Sequence, residues 1–180
     1  PGNAGTAAHG ENVPLDNEDN GAIHDFIVEH AIDMVVVGPE APLVNGVWNY
    51  LRRMRSTSHV PVIGPSMQGA KLEGSKAYAK RFMQEFGIPT AGYREFSSSK
   101  GGPAIRFIRK KAVAPIVLKA DGLAAGKGVV ICQDKEEAVQ ELQEMLSGKF
   151  GQASRKVVIE EFLAGIEFSV FVLTDGQSYK

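Results

Sequence analysis

The sequence has few of the features that mark disulfide frameworks, membrane segments or nucleic-acid surfaces. Its 180 residues include one cysteine, Cys132, which excludes an internal disulfide and predicts a reducing compartment, the cytoplasm. No apolar run approaches the roughly 20 residues of a membrane span. The 20 Lys and Arg balance 21 Asp and Glu, and no basic stripe indicates nucleic acid. The four scattered histidines lack metal-ligand spacing. We therefore predict a soluble protein with neither membrane nor nucleic-acid partners.

The first third of the chain alternates between helix and strand patterns. The run at 33–37 is typical of a parallel strand buried on both faces. This order predicts a doubly wound α/β layout, in which ligands bind at the carboxyl ends of strands, so loops 1–6 and 38–43 are candidate sites. The predicted elements are a helix over 21–30, a strand over 33–37, a helix over 43–55 and a strand over 60–63.

A second unit begins near Gln68. Cys132 follows one of its strands and is predicted to pack in the core rather than act as a nucleophile. Asp175 and Gly176 signal a hairpin. Because four residues follow that hairpin signal and the first residue is proline, we expect an internal piece of a longer protein. The predicted elements are a helix from the Ser75 cap to Phe86, a helix opened by 101–103, strands over 116–119 and 129–132, a helix started by Asp134 and Glu137, and strands over 156–161 and 167–174.

The segment KADGLAAGKGVVI, residues 119–131, is the most informative part of the sequence about which kind of phosphate-binding loop the protein has. A Walker A loop needs four residues between its glycines and then Lys with Ser or Thr, a spacing absent here. The dinucleotide fingerprint opens a helix, whereas the run at 129–131 is typical of a strand. The segment is therefore predicted to be a small-residue loop between two strands, with Lys119 and Lys127 at its ends.

Lys76 and Lys119 occupy positions where a cation is unexpected. Lys76 lies in the first turn of a predicted helix, where the macrodipole disfavours positive charge. Either this side chain is simply exposed, or a bound anion shares the helix N-terminus. Lys119 ends an apolar strand and either reaches solvent or needs a partner, because a buried ammonium alone is costly. A nucleotide triphosphate held by both lysines and by the backbone of the glycine loop accounts for all three features.

The strand that ends in Glu160 and Glu161 is a candidate nucleobase site. Its peptide groups are suited to pair with an adenine edge, and the apolar pair Phe162 and Leu163 is suited to cover the ring. Glu167, after the bend, is suited to accept hydrogen bonds from ribose hydroxyls. Each glutamate alone is explained more simply as a solvated strand end, so the prediction depends on their position relative to the lysines.

Five motif groups follow one another along essentially the whole chain: PGNAGTA; VVVGPEAPLVNGV; VIGPS with KLEGSKAYAKRFM and GIPTAGY; KADGLAAGKGVV; and VVIEEFLAGIEFSVFVLTDG. Together they resemble the phosphoribosylamine–glycine ligase (glycinamide ribonucleotide synthetase) family of the ATP-grasp superfamily. The resemblance implies a mixed α/β and α+β fold. Its implied parts are a partial Rossmann-like (pre-ATP-grasp) N-terminal domain, 1–67, a connecting helical region, 68–111, and a truncated ATP-grasp nucleotide-binding subdomain, 112–180.

The resemblance also implies roles for single residues. Lys76 and Lys119 match the two lysines that bind the triphosphate and serve catalysis, and 122–128 resembles the mobile loop that covers the phosphates. No metal ligand is assigned, because the family's carboxylate and Asn ligands are expected after Lys180. The other implied residues are Gly126, Lys127 and Gly128 at the phosphates, Glu160, Glu161, Phe162 and Leu163 at adenine, Glu167 at ribose, and Asn3, Gly5, Thr6 and Glu40 at phosphoribosylamine.

The implied reaction is a step of de novo purine synthesis. ATP, glycine and 5-phosphoribosylamine give glycinamide ribonucleotide, ADP and phosphate through glycyl phosphate, with Mg²⁺ or Mn²⁺ implied for the complete enzyme. Such phosphoryl transfer depends on positioning and charge stabilisation, which suits a site rich in lysines and backbone donors. Two alternatives stay open: another ATP-grasp ligase of the purine pathway, and an ATP-binding piece without catalytic activity. The oligomeric state is left open.

Overall fold

The computed structural model describes residues 2–124 and 126–180. Pro1 of the predicted loop 1–6 and Ala125 of the glycine loop lie outside the described residues. Strands β1 (Val35–Val36) and β2 (Val62–Ile63) form a parallel pair with Val35 opposite Val62, as the α/β order predicts. The first elements are α1 (Ala4–Ala7), α2 (Asn20–Glu29), β1 (Val35–Val36), α3 (Glu40–Val44), α4 (Val47–Arg53), β2 (Val62–Ile63) and α5 (Met67–Gly74).

One face of the parallel pair is packed and the other is open. Val35 and Val62 contact a small core made by α2, α3, α4 and α5. Val36 points away from that core and is 67% exposed, and Met34 is also exposed. The prediction that 33–37 is buried on both faces is therefore wrong. Two short strands offer one packed face to the helices, so alternate side chains face outward. The buried core residues are Ile27, Leu43, Val47, Leu51, Val60 and Ala70.

The helix predicted over 43–55 consists of two helices. The first, α3, begins at Glu40, inside the predicted loop 38–43. Pro42 fits its first turn, where backbone N–H groups have no intrahelical acceptor. A break follows at Gly46, whose φ of +88° is left-handed and strained for a residue with a side chain. The apolar periodicity of the sequence continues through this break, so the sequence alone predicted one helix.

The second unit is a four-stranded antiparallel sheet in the order β3-β6-β4-β5. The sequence predicted β4, β5 and β6 but missed β3 and α5. The prediction of a loop over 1–6 is wrong for its second half, because the Asn3 side chain caps the short helix α1 that begins at Ala4. Short 3₁₀ turns lie at Ser98–Lys100 and Gly151–Arg155. The other elements are α6 (Lys76–Glu85), β3 (Tyr93–Ser97), α7 (Gly101–Lys110), β4 (Ile116–Ala120), β5 (Val129–Cys132), α8 (Lys135–Leu146) and β6 (Lys156–Glu161).

The predicted helix caps are present. Ser75 Oγ accepts a hydrogen bond from the Tyr78 backbone N–H at 3.1 Å and starts α6. Asp134 Oδ1 accepts from the backbone N–H groups of the second and third residues of α8, each at 2.9 Å. Glu137 completes the cap differently from a standard capping box, because it accepts from the Gln133 N–H rather than from that of Asp134.

One face of the sheet is covered by α7 and α8. Ile116, Leu118 and Ile159 project from this face into a core that contains Leu142. Cys132 is fully buried in the same core, as predicted, and burial raises the pKa of its thiol to about 11. The opposite face carries the candidate site. The whole core set is Ala104, Ile108, Ile116, Leu118, Cys132, Ala138, Val139, Leu142, Met145, Val157 and Ile159.

The strand predicted over 167–174 is absent. This segment is exposed, and the predicted hairpin turn at Asp175 and Gly176 closes one isolated bridge, from Thr174 to Tyr179. A β-strand needs a partner for its backbone groups, and no other strand in the described part of the chain lies beside this segment. Separately, none of the described helices has the length and apolar content that crossing a membrane requires.

Candidate active site

The sheet face opposite α7 and α8, called the open face below, is partly covered by α6, and its centre is an ion pair between Lys119 and Glu160. Val117 on β4 lies opposite Glu160 on β6, and Lys119 is two residues beyond Val117. Side chains two residues apart in a strand share a face, so Lys119 and Glu160 project from the same side of the sheet. Lys119 Nζ lies 3.0 Å from Glu160 Oε2. The partner that a lysine at the end of an apolar strand requires is therefore one of the predicted hinge glutamates.

A second lysine, which the sequence analysis missed, contacts the same carboxylate oxygen. Lys80 Nζ of α6 lies 3.0 Å from Glu160 Oε2, and the exposed fractions of the two side chains are 7% and 4%. Lys80 also donates to Thr90 Oγ1 at 2.8 Å and to the Ala91 carbonyl at 3.3 Å. In the structure, Lys80 lies three residues after the buried Ala77 and so shares its core-facing side of the helix.

Lys76 contacts the glycine loop, but the anion at its helix N-terminus belongs to the protein. Asp121 Oδ1 accepts from Ser75 Oγ at 2.9 Å and from the Ala77 N–H at 2.7 Å. The Asp121 carboxylate therefore caps this N-terminus within the protein, and the binding of a ligand anion beside it stays a prediction. Lys76 Nζ instead donates to the Gly122 carbonyl at 3.3 Å. This contact joins α6 to the start of the loop.

The glycine loop is the connection of the β4–β5 hairpin, as predicted. The Ala120 N–H donates to the Gly128 carbonyl at 2.7 Å, which closes the base of the loop. A Cβ at position 128 would lie 2.8 Å from the Ala124 Cβ, so this close approach requires glycine. Gly126 has a φ of +75° and has open space around it, and Lys127 beside it is exposed. Within the described residues, Gly126 and Lys127 are therefore exposed to solvent on this hairpin.

The predicted hinge divides into a fixed part and an exposed part. Glu161 Oε1 accepts from the Gly92 N–H at 2.7 Å, which ties the end of β6 to the segment before β3. Phe162 and Leu163 lie beyond the strand and are exposed, and Glu167 is exposed as well. Phe162 and Leu163, which are predicted to cover the adenine ring, thus lie close to Glu160 in sequence but are not packed against the sheet.

Three of the four N-terminal candidate residues, Asn3, Gly5 and Thr6, form one hydrogen-bonded turn. Asn3 Oδ1 accepts from the N–H groups of Gly5 and Thr6 at 2.9 and 3.0 Å, and Thr6 Oγ1 accepts from the Asn3 N–H at 2.8 Å. The Asn12 side chain accepts a hydrogen bond from Thr6 Oγ1 and donates one to the Asn3 carbonyl. Glu40 is exposed in the first turn of α3. No hydrogen bond or ion pair between described residues joins this group to the Lys119 face.

The side chains that surround the open face fit an anion better than a divalent cation. Lys80 and Lys119 share the Glu160 carboxylate, Lys76 contacts the glycine loop, and the Asp121 carboxylate is bonded to the start of α6, so each carboxylate already has protein partners. Within residues 2–124 and 126–180, no group of three or more His, Cys, Asp or Glu side chains is placed to hold a metal ion. The arrangement therefore suits phosphate oxygens, which accept hydrogen bonds from ammonium and backbone N–H groups.

Two protein-family models match the chain end to end. Residues 1–73 match the model described as phosphoribosylglycinamide synthetase, N domain. Residues 74–180 match the model described as phosphoribosylglycinamide synthetase, ATP-grasp (A) domain. The Lys119 face and the glycine loop lie in the second match, and the Asn3 and Glu40 turns lie in the first.

Curated relatives agree with these models. The chain is 47% identical over 178 residues to phosphoribosylamine–glycine ligase of Rhizobium meliloti, covering 99% of this chain and 40% of the relative. It is 46% identical over 180 residues to the ligase of that name from Escherichia coli K12, covering 98% of this chain and 40% of the relative. The chain therefore spans about 40% of the length of these relatives.

A solved structure of a ligase with the same name as these relatives also matches the chain. The crystal structure of phosphoribosylamine–glycine ligase from Thermotoga maritima superposes with a TM-score of 0.74 at 34% identity, over 99% of this chain and 41% of that one. The biotin carboxylase domain of Hydrogenobacter thermophilus 2-oxoglutarate carboxylase, solved with ADP, magnesium ADP and bicarbonate, gives a TM-score of 0.61 at 24% identity, over 81% and 31%. The second likeness shows a shared fold only.

Proposed function

Because the chain belongs to the phosphoribosylglycinamide synthetase family, we propose that it forms the N-terminal and nucleotide-binding parts of an ATP-dependent ligase. This ligase joins glycine to 5-phosphoribosylamine and releases glycinamide ribonucleotide, ADP and phosphate. The reaction belongs to de novo purine synthesis. A cytoplasmic location, and the division into 1–67, 68–111 and 112–180, are parts of the same proposal.

The Lys119–Glu160–Lys80 cluster is the observation that carries the nucleotide half of the proposal. Two ammonium groups share one carboxylate oxygen, so the cluster has an excess positive charge on a largely buried sheet face. Positive charge with few water contacts attracts phosphate more strongly than the same charge in bulk water. The β4–β5 loop beside it offers backbone N–H groups and the exposed Lys127 for the remaining phosphate oxygens.

In the proposed chemistry, ATP activates the carboxylate of glycine. A glycine carboxylate oxygen attacks the γ-phosphorus of ATP, and the bond from this phosphorus to the β–γ bridging oxygen breaks. The products of this step are glycyl phosphate, which reacts further, and ADP. The amine nitrogen of phosphoribosylamine then attacks the glycyl carbonyl, forms the amide, loses a proton and releases phosphate. Lys119 and Lys76 would hold the triphosphate and stabilise the charge that moves between its oxygens, which is the main protein contribution to such a transfer.

The other residues proposed to bind ATP would position it. The peptide groups from Glu160 and Glu161 to Phe162 and Leu163 would pair with the adenine edge at the end of β6. The apolar side chains of Phe162 and Leu163 would cover the ring, and Glu167 would accept from ribose hydroxyls. Gly126, Lys127 and Gly128 would close over the phosphates, which excludes water from the labile acyl phosphate. The exposed positions of Phe162 and Leu163 leave them accessible to a ligand ring.

Asn3, Gly5, Thr6 and Glu40 would hold phosphoribosylamine in the N-terminal unit. Glu40 offers a carboxylate to the amine or hydroxyl groups of this substrate from the first turn of α3. The described residues do not fit Mg²⁺ or Mn²⁺, since they offer no acidic cluster, and no step above is routed through a metal.

Substrate-dependent ADP formation tests the proposal. The protein encoded by the complete open reading frame that contains this chain should form ADP when ATP, glycine and phosphoribosylamine are all present. Omitting either co-substrate should stop turnover. Turnover with bicarbonate or another amino acid in place of glycine would instead favour a different ATP-grasp ligase. Tight ATP binding without any turnover would favour a nucleotide-binding protein without catalysis.

A further inference from the structure

We infer that Lys80 is a positioning residue that keeps the charge of Glu160 balanced while Lys119 moves from Glu160 to the nucleotide phosphates. The inference rests on the proposed function, because it concerns the lysine that this function assigns to the triphosphate. Lys80 itself would not touch the phosphates. It acts on binding by releasing Lys119.

The two lysines that share Glu160 Oε2 differ in how firmly they are held. Lys80 has two further acceptors, Thr90 Oγ1 and the Ala91 carbonyl, and its side chain is almost fully buried. Lys119 is 28% exposed, and Glu160 is its one polar partner in the described part of the chain. Lys119 is therefore the partner that can turn toward a ligand on the open face, whereas Lys80 stays in place.

Glu160 cannot lose both partners without a large penalty. Its side chain is 4% exposed, and its other oxygen, Oε1, is buried and accepts no hydrogen bond from the described residues. A buried carboxylate without a counter-charge is strongly unfavourable. If Lys119 were its only counter-charge, Glu160 would hold Lys119 against the sheet and compete with the phosphates. With Lys80 fixed beside Oε2, Lys119 can leave while the carboxylate stays paired.

The affinity ratio of ATP to adenosine isolates the contribution of the phosphates. Both ligands contain adenine and ribose, so a change at the nucleobase site alters both affinities and cancels in the ratio. The experiment is a calorimetric titration of each ligand into the protein from the complete open reading frame and into its variants. In Lys80→Met, Lys119 should stay on Glu160, and the preference for ATP over adenosine should fall about tenfold or more.

A second substitution distinguishes this role from simple loss of packing. In the double variant Lys80→Met, Glu160→Gln, no carboxylate retains Lys119, so the ATP preference should return toward the wild-type value. Glu160→Gln alone should give a preference at or above that of wild type, and this variant keeps the test valid if Lys80→Met does not fold. The matched control is Arg81→Met. It removes a charge from the next residue of α6, whose ion pair at 2.6 Å is with Glu95, and should leave the ratio unchanged.

The outcomes separate failure of this inference from failure of the proposed function. If Lys80→Met lowers both affinities equally, or if the double variant keeps the low ratio of Lys80→Met, Lys80 has only a structural role and the inference is overturned. A fall in the ratio for Glu160→Gln alone would also overturn it. If the wild-type protein shows no preference for ATP over adenosine, the proposed triphosphate site itself is wrong.

Discussion

The two halves of the described chain hold their candidate residues in different ways. In the N-terminal unit, the strands have two residues each and the core is small. Asn3 and Thr6 lie in an exposed turn held by local hydrogen bonds, and Glu40 is exposed in the first turn of α3. In the second unit, strands of four to six residues bring Lys119 and Glu160 together on a packed sheet. The proposed nucleotide site therefore depends on long-range strand pairing, whereas the residues proposed to hold phosphoribosylamine lie in exposed local structure.

This difference predicts which substitutions change ligand binding alone and which also change the stability of the fold. A side chain such as Glu160 is buried and paired, so changing it affects the sheet as well as a ligand. A side chain such as Glu40 is exposed, so changing it should affect a ligand while leaving the fold intact.

The largest expected effect is loss of packing on the covered face of the sheet. Ile159 is 1% exposed and contacts the core under α7 and α8, so Ile159→Ala should lower the free energy of unfolding by about 2–5 kcal/mol. Ile166, which is 92% exposed, is the matched control, and Ile166→Ala should change it by less than about 0.5 kcal/mol. Urea denaturation measures both. Similar losses at the two positions would show that the segment after β6 is packed as well.

The second effect concerns the only cysteine, in the core of the second unit. Burial, with the nearby carboxylates of Glu137, Glu141 and Asp134, raises the pKa of Cys132 from 9.0 to about 11. The unfolded chain then loses this proton first, so stability from this group is complete below pH 9 and is lost as the pH rises toward 11. The loss should reach about 2–3 kcal/mol. Denaturation of wild type and Cys132→Ala between pH 8 and 11 isolates it, and parallel pH profiles would contradict the assignment.

The third effect should appear in substrate binding by the N-terminal unit alone. Glu40→Gln removes a charge from an exposed helix start, so KM for phosphoribosylamine should rise about tenfold through loss of a charge-assisted hydrogen bond. ATP affinity should stay unchanged. Glu29→Gln removes an exposed charge from α2 of the same unit and serves as the control. Equal losses for both substrates in Glu40→Gln would mean that this turn has been placed at the wrong substrate.

The smallest effect compares two helix caps. Ser75 Oγ accepts from the Tyr78 N–H at 3.1 Å and also donates to Asp121, so Ser75→Ala should cost about 1 kcal/mol of stability. Ser66, the cap of α5, makes only a longer contact of 3.4 Å to the Gly69 N–H. Ser66→Ala should therefore cost less than Ser75→Ala in thermal denaturation. The reverse order would show that the link between α6 and Asp121 adds little.

Elements with local signals were predicted well from the sequence. The strand over 156–161 has the bounds of β6, and α6 begins after the Ser75 cap and ends before the left-handed Gly87, as its residues indicate. The strand over 167–174 was wrong, because alternating apolar residues do not form a strand without a neighbouring one.

The parts of the site that depend on distant pairing were only partly predictable. The sequence indicated Lys119 and Glu160 separately, but their contact requires the β4–β6 register. Lys80 and Asp121 were missed, because their importance follows from what α6 packs against and not from their neighbours in sequence. Charged residues at core-facing positions of a helix, such as Lys80, are the signal that deserves a search for a distant partner.

Titration of ATP and adenosine into wild type and Lys119→Met tests the central claim most directly. Methionine keeps most of the apolar stem, and Lys80 still pairs with Glu160, so the sheet should stay folded. Loss of a charge-assisted contact of roughly 1.5–3 kcal/mol should weaken ATP binding about 10- to 150-fold, with adenosine binding unchanged. An unchanged ATP affinity would contradict the account and leave the β4–β5 loop an ordinary hairpin.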